Sequence, residues 1–564
     1  MNSLLARLAA ATLVLAATAA QAQPRLDVKL TPGPVDTERG TGSLGVTLSI
    51  PAFEAAAGAP LLTLPVVIAN TDTIANTLTD LTVTDALGPV PLSIRDDPVA
   101  IAYARHWIAG RALKGEVTVR YRAPVDNTPP SRGSGPPYSL RTEGGGISGV
   151  GNTFLLLPET STPYRVAVRW DLSALGPGAT AMSSYGEGDV QMPAGPVGRL
   201  SSTLFMAGPM RRVPEPVKAA GFSAAWLGDP PFDPRPLMTW ADGLHGWMSR
   251  FFQDTSEPPY RVILRYNPIN AGGGAALTNS FLLTWGETAK DPEALKGTLA
   301  HEMIHTWTAT GVGQWYSEGN AVHYQALLPL RAGMITPEDY LEDINDTARR
   351  YFTNALNDTP DREIAARFWE DTRIRTLPYD RGAMYFAVLD GRIRKASAGR
   401  RSLDDLIREM VRRRVVGEAA TSAAWDELVS RELGAPGRQI TEDMLAGRLM
   451  LPEPGDFGPC FTRTTARFRR FDLGFEPKSL VGDVKTIRGI KSDSEAARAG
   501  LRDGDVVTYS VAMDSVQGDP KRLLTLKVTR EGRTFPITYL PRGETVEAWQ
   551  WARVRGTLDS ACVY

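Results

Sequence analysis

Cysteine is nearly absent from this chain: its 564 residues carry two, Cys460 and Cys562, so at most one intrachain bridge can form. Charge of one sign is not in excess either. Lys and Arg total 62 against 63 Asp and Glu, a formal net charge of -1. With no long basic run, there is no electrostatic case for a nucleic-acid partner. The one basic cluster, Arg412-Arg413-Arg414, lies in a helical pattern with Glu409 before it and Glu418 after it, and reads as a solvated helix face. Beyond the first residues, no stretch is long and apolar enough to span a bilayer. Internal repeats are missing too.

The leader is itself informative. Arg7 supplies a positive n-region, Leu8 to Ala20 form a short apolar run, and Ala20-Gln21-Ala22 has the small-x-small form of a cleavage site. Residues 1–22 are expected to be a removable export signal, with Gln23 as the mature N-terminus and no membrane span afterwards. The expected location is periplasmic or secreted. There a bridge between Cys460 and Cys562, which bracket the last segment of the chain, would survive. Apolar residues make up 43% and charged residues 22%, values of a globular protein, and the length allows about three to four domains.

The pattern divides the mature chain in three, giving a multidomain α+β fold class. Residues 23–213 are rich in Thr, Val, Pro and Gly, with alternating runs such as Gly115–Tyr121 and Tyr164–Trp170 and turns such as Pro129–Gly133, and predict a β-sandwich. His106 has no metal-spaced partner there and reads as a packed or surface residue. After Val213-Pro214-Glu215-Pro216, residues 214–451 turn mainly helical: Pro236–Phe252, Pro292–Trp307, Ala321–Leu328, Pro337–Leu356 and Arg381–Lys395 carry helical spacing, with strands expected at Arg261–Tyr266 and Phe281–Trp285. Pro452-Glu453-Pro454-Gly455 opens a last, β-rich unit at 452–564.

The chemistry concentrates at His301-Glu302-Met303-Ile304-His305. Residues four apart on a helix share a face, so both imidazoles can reach one ion while Glu302 addresses a water beside it. Catalytic zinc takes a third protein ligand and keeps a fourth position open. Glu318, in Trp315-Tyr316-Ser317-Glu318-Gly319 ahead of the helical stretch from Ala321, is the candidate. His323, more than a turn further on, is the rival and reads as a supporting or surface residue.

These residues resemble the gluzincin metallopeptidases, whose HExxH is followed by a glutamate ligand. Tyr379-Asp380-Arg381-Gly382 looks like their Tyr-x-Lys-Gly motif, which implies that the Tyr379 hydroxyl stabilises an oxyanion. The order of leader, β domain, zinc domain and C-terminal unit is similar to the glycyl aminopeptidase family, metallopeptidase family sixty-one. The resemblance implies one zinc ion per chain and peptide or protein substrates with small first residues such as Gly or Ala. Two departures stand out. The His305-to-Glu318 interval is shorter than the family's. Where relatives carry a Gly-Gly-x-Glu-His segment whose glutamate anchors the substrate amine, this chain has Gly272-Gly273-Gly274-Ala275-Ala276-Leu277, with Ala276 at the glutamate position. The glycines still suit close approach of substrate backbone, and Glu287 or Asp380 is a possible replacement anchor. The alternatives are therefore an aminopeptidase, an endopeptidase of altered specificity, and a peptide-binding or quality-control protein with vestigial activity.

In the last unit, Ser492–Val507 resembles the helix-turn-strand of PDZ domains. Leu473-Gly474-Phe475 resembles the loop that takes a peptide carboxylate on backbone N–H groups, with Asp472 in place of its first glycine. Peptide capture and simple bracing of the catalytic part both remain open.

Overall fold

The alternating runs of the first two hundred residues form three β-sheets. In the computed structural model the described residues are 23–51, 53–99, 102–128, 136–256, 258–268, 271–482 and 484–564; the expected export signal and the turn at 129–133 lie outside them. A seven-stranded sheet is built around Arg25–Pro32, Thr41–Ile50 and Val117–Asp126, and a five-stranded sheet around Pro60–Ile68 and Tyr103–Ala109. Period-two burial puts Leu44, Val46, Leu48 and Ile50 on one face. They share a core with Leu62, Leu64 and Trp107 of the second sheet. The third sheet departs from a two-sheet sandwich. Its Ile147, Ala181 and Phe205 join that same core, whereas Val150, Met182, Leu204 and Met206 pack on Ala225, Ile263 and Leu282 of the next part of the chain. Being apolar on both faces, it is a middle layer.

The next sheet runs in the order Arg211–Val213, Gly221–Trp226, Pro259–Tyr266, Ser280–Trp285, Gly274–Leu277. Its three inner strands are parallel and its edge strand Gly274–Leu277 is antiparallel. Residues Tyr260 to Arg265 are all buried, as expected of a strand covered on both faces. The helices are α1 (Pro234–Phe251), α2 (Lys296–Thr308), α3 (Gln314–Arg331), α4 (Pro337–Thr353), α5 (Leu377–Ala396), α6 (Leu403–Val415) and α7 (Ser422–Leu445), with shorter helices between them. A capping box of Thr336 and Asp339 starts α4. The arginine cluster on α6 is not wholly solvated: Arg412 and Arg413 pair with Glu409, but Arg414 donates to the carbonyls of Thr306 (2.6 Å) and Ala309 (3.4 Å). It thereby satisfies the open C-terminal end of α2.

The C-terminal unit pairs Phe461–Phe471 with Arg542–Arg553 in a long ribbon and carries a four-stranded sheet with its own small core, including Leu524, Leu526 and Val528. The ribbon lies on α4. Asn345 is bonded on both sides, donating to the Trp551 carbonyl (2.9 Å) and accepting from the Trp551 N–H (2.7 Å). Cys460 and Cys562 are joined and sit in the helical core. In the expected carboxylate loop, Leu473 and Phe475 are buried. The Gly474 N–H donates to Asp472 Oδ1 (2.8 Å), and Asp472 Oδ2 holds Lys491 (2.7 Å). The residue standing in for the family's glycine thus occupies a donor that a peptide carboxylate would use. Among the described residues, no helix is long and apolar enough to cross a membrane.

The bridge closes a separation of 102 residues. A Cys460→Ser, Cys562→Ser double variant is expected to lose about 2–4 kcal/mol of stability in urea unfolding followed by tryptophan fluorescence.

Candidate metal centre and its cleft

Two glycines decide how the site is assembled. A Cβ on Gly319 would stand 2.6 Å from the Cα of Gly382, and one on Gly382 would stand 2.5 Å from the Trp315 carbonyl oxygen. Helices α3 and α5 can therefore cross backbone to backbone only with glycine at both positions. Glu318 adjoins the first glycine and Tyr379 lies one turn before the second, so this crossing brings the two motifs to one place. Helix α3 begins already at Gln314, well ahead of the stretch from Ala321 expected from sequence, so Glu318 sits inside the helix on the face toward α2.

Helix α2 presents His301 and His305 one turn apart, with ring centroids 5.0 Å from each other. Glu318 Oε2 lies 3.3 Å from both imidazole Nε2 atoms. Donors about 2.0–2.1 Å from one tetrahedral ion sit roughly 3.3–3.4 Å apart, so the spacing fits a zinc ion. A donor set of two imidazoles and a carboxylate suits the same metal. Among the described residues these three are the cluster whose ligand atoms fall within 4.8 Å of one another.

Both imidazoles are oriented from behind. His301 Nδ1 donates to Gln325 Oε1 (2.9 Å), whose Nε2 donates to Asp343 Oδ1 (2.6 Å). This chain fixes the His301 proton on Nδ1 and leaves Nε2 free to ligate. His305 Nδ1 lies 3.1 Å from Ser317 Oγ. Sequence reading missed Gln325, although its place two helical turns after Glu318 was a usable signal. Nothing local marked Asp343, which comes from α4. Burial pulls the His301 imidazolium down, but Glu318 and Glu302 reverse the effect and set it at about 8. Burial likewise pushes Glu318 up, and the hydrogen bonds from both histidines overcome it, leaving its carboxyl well below the usual range. Asp343 is pushed up to about 6 by burial.

Glu302, beside the donors, is pushed up by burial, against the pull of His301, His305 and the Ala276 N–H on the edge strand. The Tyr379 ring lies 6.0 Å from that of His301 at 16°. Burial, together with Glu318 and Glu302, holds its hydroxyl well above the ordinary phenol range, so it remains a donor.

A cleft of about 610 Å³ opens on these groups. Gly272, Gly273 and Gly274 line one side, and Ala512, Asp514 and Ser515 of the C-terminal unit line another. Gly274 has an internal reason to be glycine, since a Cβ there would stand 2.1 Å from the Phe281 ring. Neither suggested amine anchor is free. Asp380 accepts from Arg350 (2.7 Å), and Glu287, 75% exposed at its side chain, pairs with Lys290. The cleft's other acidic wall residue, Asp514, holds Arg375 (2.5 Å). His323 is buried against Tyr324 and Phe386 and is not at the surface. His106 is remote, on its strand with Glu159 and Asp97.

No family model matches the sequence, and no curated protein does. Among solved structures, an aminopeptidase N family protein from Idiomarina loihiensis matches with a TM-score of 0.62 at 15% identity, over 93% of this chain and 97% of that one. At that identity the likeness is one of fold, and it extends through all three parts of the chain. An M1 zinc metallopeptidase from Deinococcus radiodurans (TM-score 0.46, 16% identity, 76% of this chain and 94% of that one) and yeast LTA4 hydrolase (0.48, 13%, 77% and 69%) match less well and add nothing to the fold assignment.

Replacing Gln325 by Leu removes the bond to His301 Nδ1 without touching a donor atom. Zinc affinity, measured by chelator competition, is expected to fall about 10–100-fold.

Proposed function

We propose that this chain is an exported, zinc-dependent peptidase that hydrolyses peptide bonds. The observation that carries the reading is the convergence of His301, His305 and Glu318 on one point of a cleft that also holds Glu302 and Tyr379. The three donors would hold the ion, which supplies Lewis-acid polarisation of a carbonyl and acidifies a water. Glu302 takes a proton from the attacking water and carries it to the leaving amine. Tyr379 donates its O–H to the oxygen that gains charge in the tetrahedral state. The edge strand Gly274–Leu277 offers backbone to an extended substrate, in the manner of strand addition.

Aminopeptidase action on small first residues is the first reading. It rests on the family resemblance and agrees with the fold shared with an aminopeptidase N family protein. A second reading, endopeptidase action, is favoured by a specific observation: apart from Glu302, the carboxylates lining the cleft, Asp380 and Asp514, are both committed to arginines. The C-terminal unit, PDZ-like in its motifs, is proposed to brace the cleft rather than to capture peptide ends, because Asp472 occupies the Gly474 N–H.

Matched peptides with a free or an acetylated N-terminus separate the two readings. Zinc-loaded protein is expected to cut the free peptide one residue at a time; internal cutting of the blocked peptide would establish the endopeptidase instead. Glu302→Gln is expected to lower either activity by at least about 10²–10⁴-fold while zinc stays bound. If zinc-loaded wild type cuts neither peptide, the hydrolytic reading fails. Tyr379→Phe should reduce kcat by about 10–10³-fold and leave KM nearly unchanged, the signature of a contact made in the transition state.

A further inference from the structure

The edge strand Gly274–Leu277 has four residues, and among the described residues no strand pairs with its outer side. So short a strand with one neighbour holds its register weakly, and a slip of one residue would turn every side chain to the other face. Both of its ends are tied to other parts of the chain. Just before it, the Gly272 carbonyl accepts from Thr298 Oγ1 (3.0 Å), one turn ahead of His301 on α2. At the far end a two-residue turn, Thr278-Asn279, leads into Ser280–Trp285. Asn279 takes the left-handed conformation (φ 44°), which asparagine tolerates. This turn is held by the N-terminal domain. The Thr278 N–H donates to the carbonyl of Ser202, the last residue of the short helix Val197–Ser202 (3.2 Å), and the hydroxyls of the same two residues are 2.7 Å apart. A second tie is a directed chain of bonds. The Ser280 hydroxyl gives its one proton to the Thr278 carbonyl (2.9 Å), so the Ser184 hydroxyl, 2.7 Å away, donates to Ser280. Ser184 in turn accepts from the Leu204 N–H (2.8 Å). The chain thus starts at the ends of two strands of the third N-terminal sheet, Thr180–Ser183 and Leu204–Gly208. Ser184 and Ser280 are buried, so water does not compete for these bonds.

We propose that Ser202 and Ser184 are positioning residues for the peptidase: through the Thr278–Ser280 turn, the N-terminal domain sets the register in which the edge strand receives a substrate backbone. The proposal deepens the peptidase reading and rests on it. Neither serine lines the cleft, so both act through the strand. Leu277 closes the turn opposite Ser280 and Gly274 lines the cleft, so a shift of the turn is carried along the strand to the cleft wall. Strand addition draws affinity from main-chain bonds and specificity from pockets for alternate side chains, and both depend on register. The three metal donors lie on α2 and α3, to which neither serine is bonded. Loosening the turn therefore acts on substrate binding and spares the ion.

Ser202→Ala keeps the carbonyl that the Thr278 N–H uses and removes only the hydroxyl, whose one other bond is a long one to the Arg199 carbonyl (3.4 Å). In zinc-loaded, full-length protein the variant should raise KM for an extended peptide about 3–10-fold and leave kcat and zinc affinity within a factor of about two, the pattern of lost uniform binding. Thr278→Ala should do the same. The double variant should be no worse than either single one, since the two share one bond. Thr278→Ser, which keeps the hydroxyl, should restore the wild-type KM. Amide exchange of Gly274–Leu277, read by mass spectrometry, needs no activity; it should quicken in Ser202→Ala, while exchange of His301–His305 stays as in the wild type. If zinc-loaded wild type cuts no peptide, the peptidase reading fails and takes the strand's substrate role with it. An active wild type with either KM or strand exchange unmoved in Ser202→Ala overturns this inference alone.

Discussion

The site depends first on a contact that involves no functional group, the meeting of Gly319 and Gly382. Helix α3 carries the glutamate donor and α5 the tyrosine. Interaxial distances of about 8–10 Å are set by the side chains at the contact. Removing those side chains lets the backbones approach until a Cβ on either would overlap the other chain. The two motifs are therefore one packing unit. Trp315 contributes its carbonyl to the contact and stacks its ring near Phe386 of α5, which fixes the rotation of one helix about the other.

From this crossing the polar order of the site follows outward. Two imidazoles on α2 face a single carboxylate, and a buried carboxylate is tolerable only when such partners hold it. Each imidazole then needs its far nitrogen fixed. Gln325 and Ser317 do this from the helix that supplies Glu318, and Asp343 holds Gln325 from the next helix. The same economy governs the cleft wall. Asp380 and Asp514 could each have met a substrate ammonium, but each neutralises an arginine whose burial would otherwise be costly. Ala276 belongs to this logic. Its side chain offers nothing to an amine, while its backbone N–H pulls against the burial that pushes Glu302 up.

How much of this could be read in the sequence depends on the range of the interaction. The His301–His305 pair is a local, one-turn relation, and its helix is legible from spacing alone. The strands at Arg261–Tyr266 and Phe281–Trp285 were legible as apolar runs for the same reason. Glu318 was found as a residue, but its helix was started too late, since Ser317, Gly319 and Asn320 interrupt the apolar spacing between Tyr316 and Ala321. Contacts across domains left no trace in any single segment. Arg414 looked solvated because the carbonyls it caps are a hundred residues away, and the β-sandwich expected over 23–213 made no place for a third sheet, whose outer partners lie beyond residue 220.

The C-terminal unit is the clearest case of such long-range dependence. Its short helix Met513–Gly518 places Asp514 on Arg375 and Gln517 on Thr376, the two residues that lead into α5. Tyr379 follows within one turn. The hydroxyl assigned to the oxyanion thus sits on a helix start held from one side by the glycine crossing and from the other by a separate folding unit. If that unit tilts, the part of the cleft that shifts first is the Tyr379 wall, while the three donors, carried on α2 and the middle of α3, keep their mutual spacing. The three donors and Tyr379 are carried on different helices. A change at the seam between that unit and the helices reaches Tyr379 through Arg375 and Thr376, and reaches His301 only through α4, where Asn345 bonds the ribbon two residues from the Asp343 that holds Gln325.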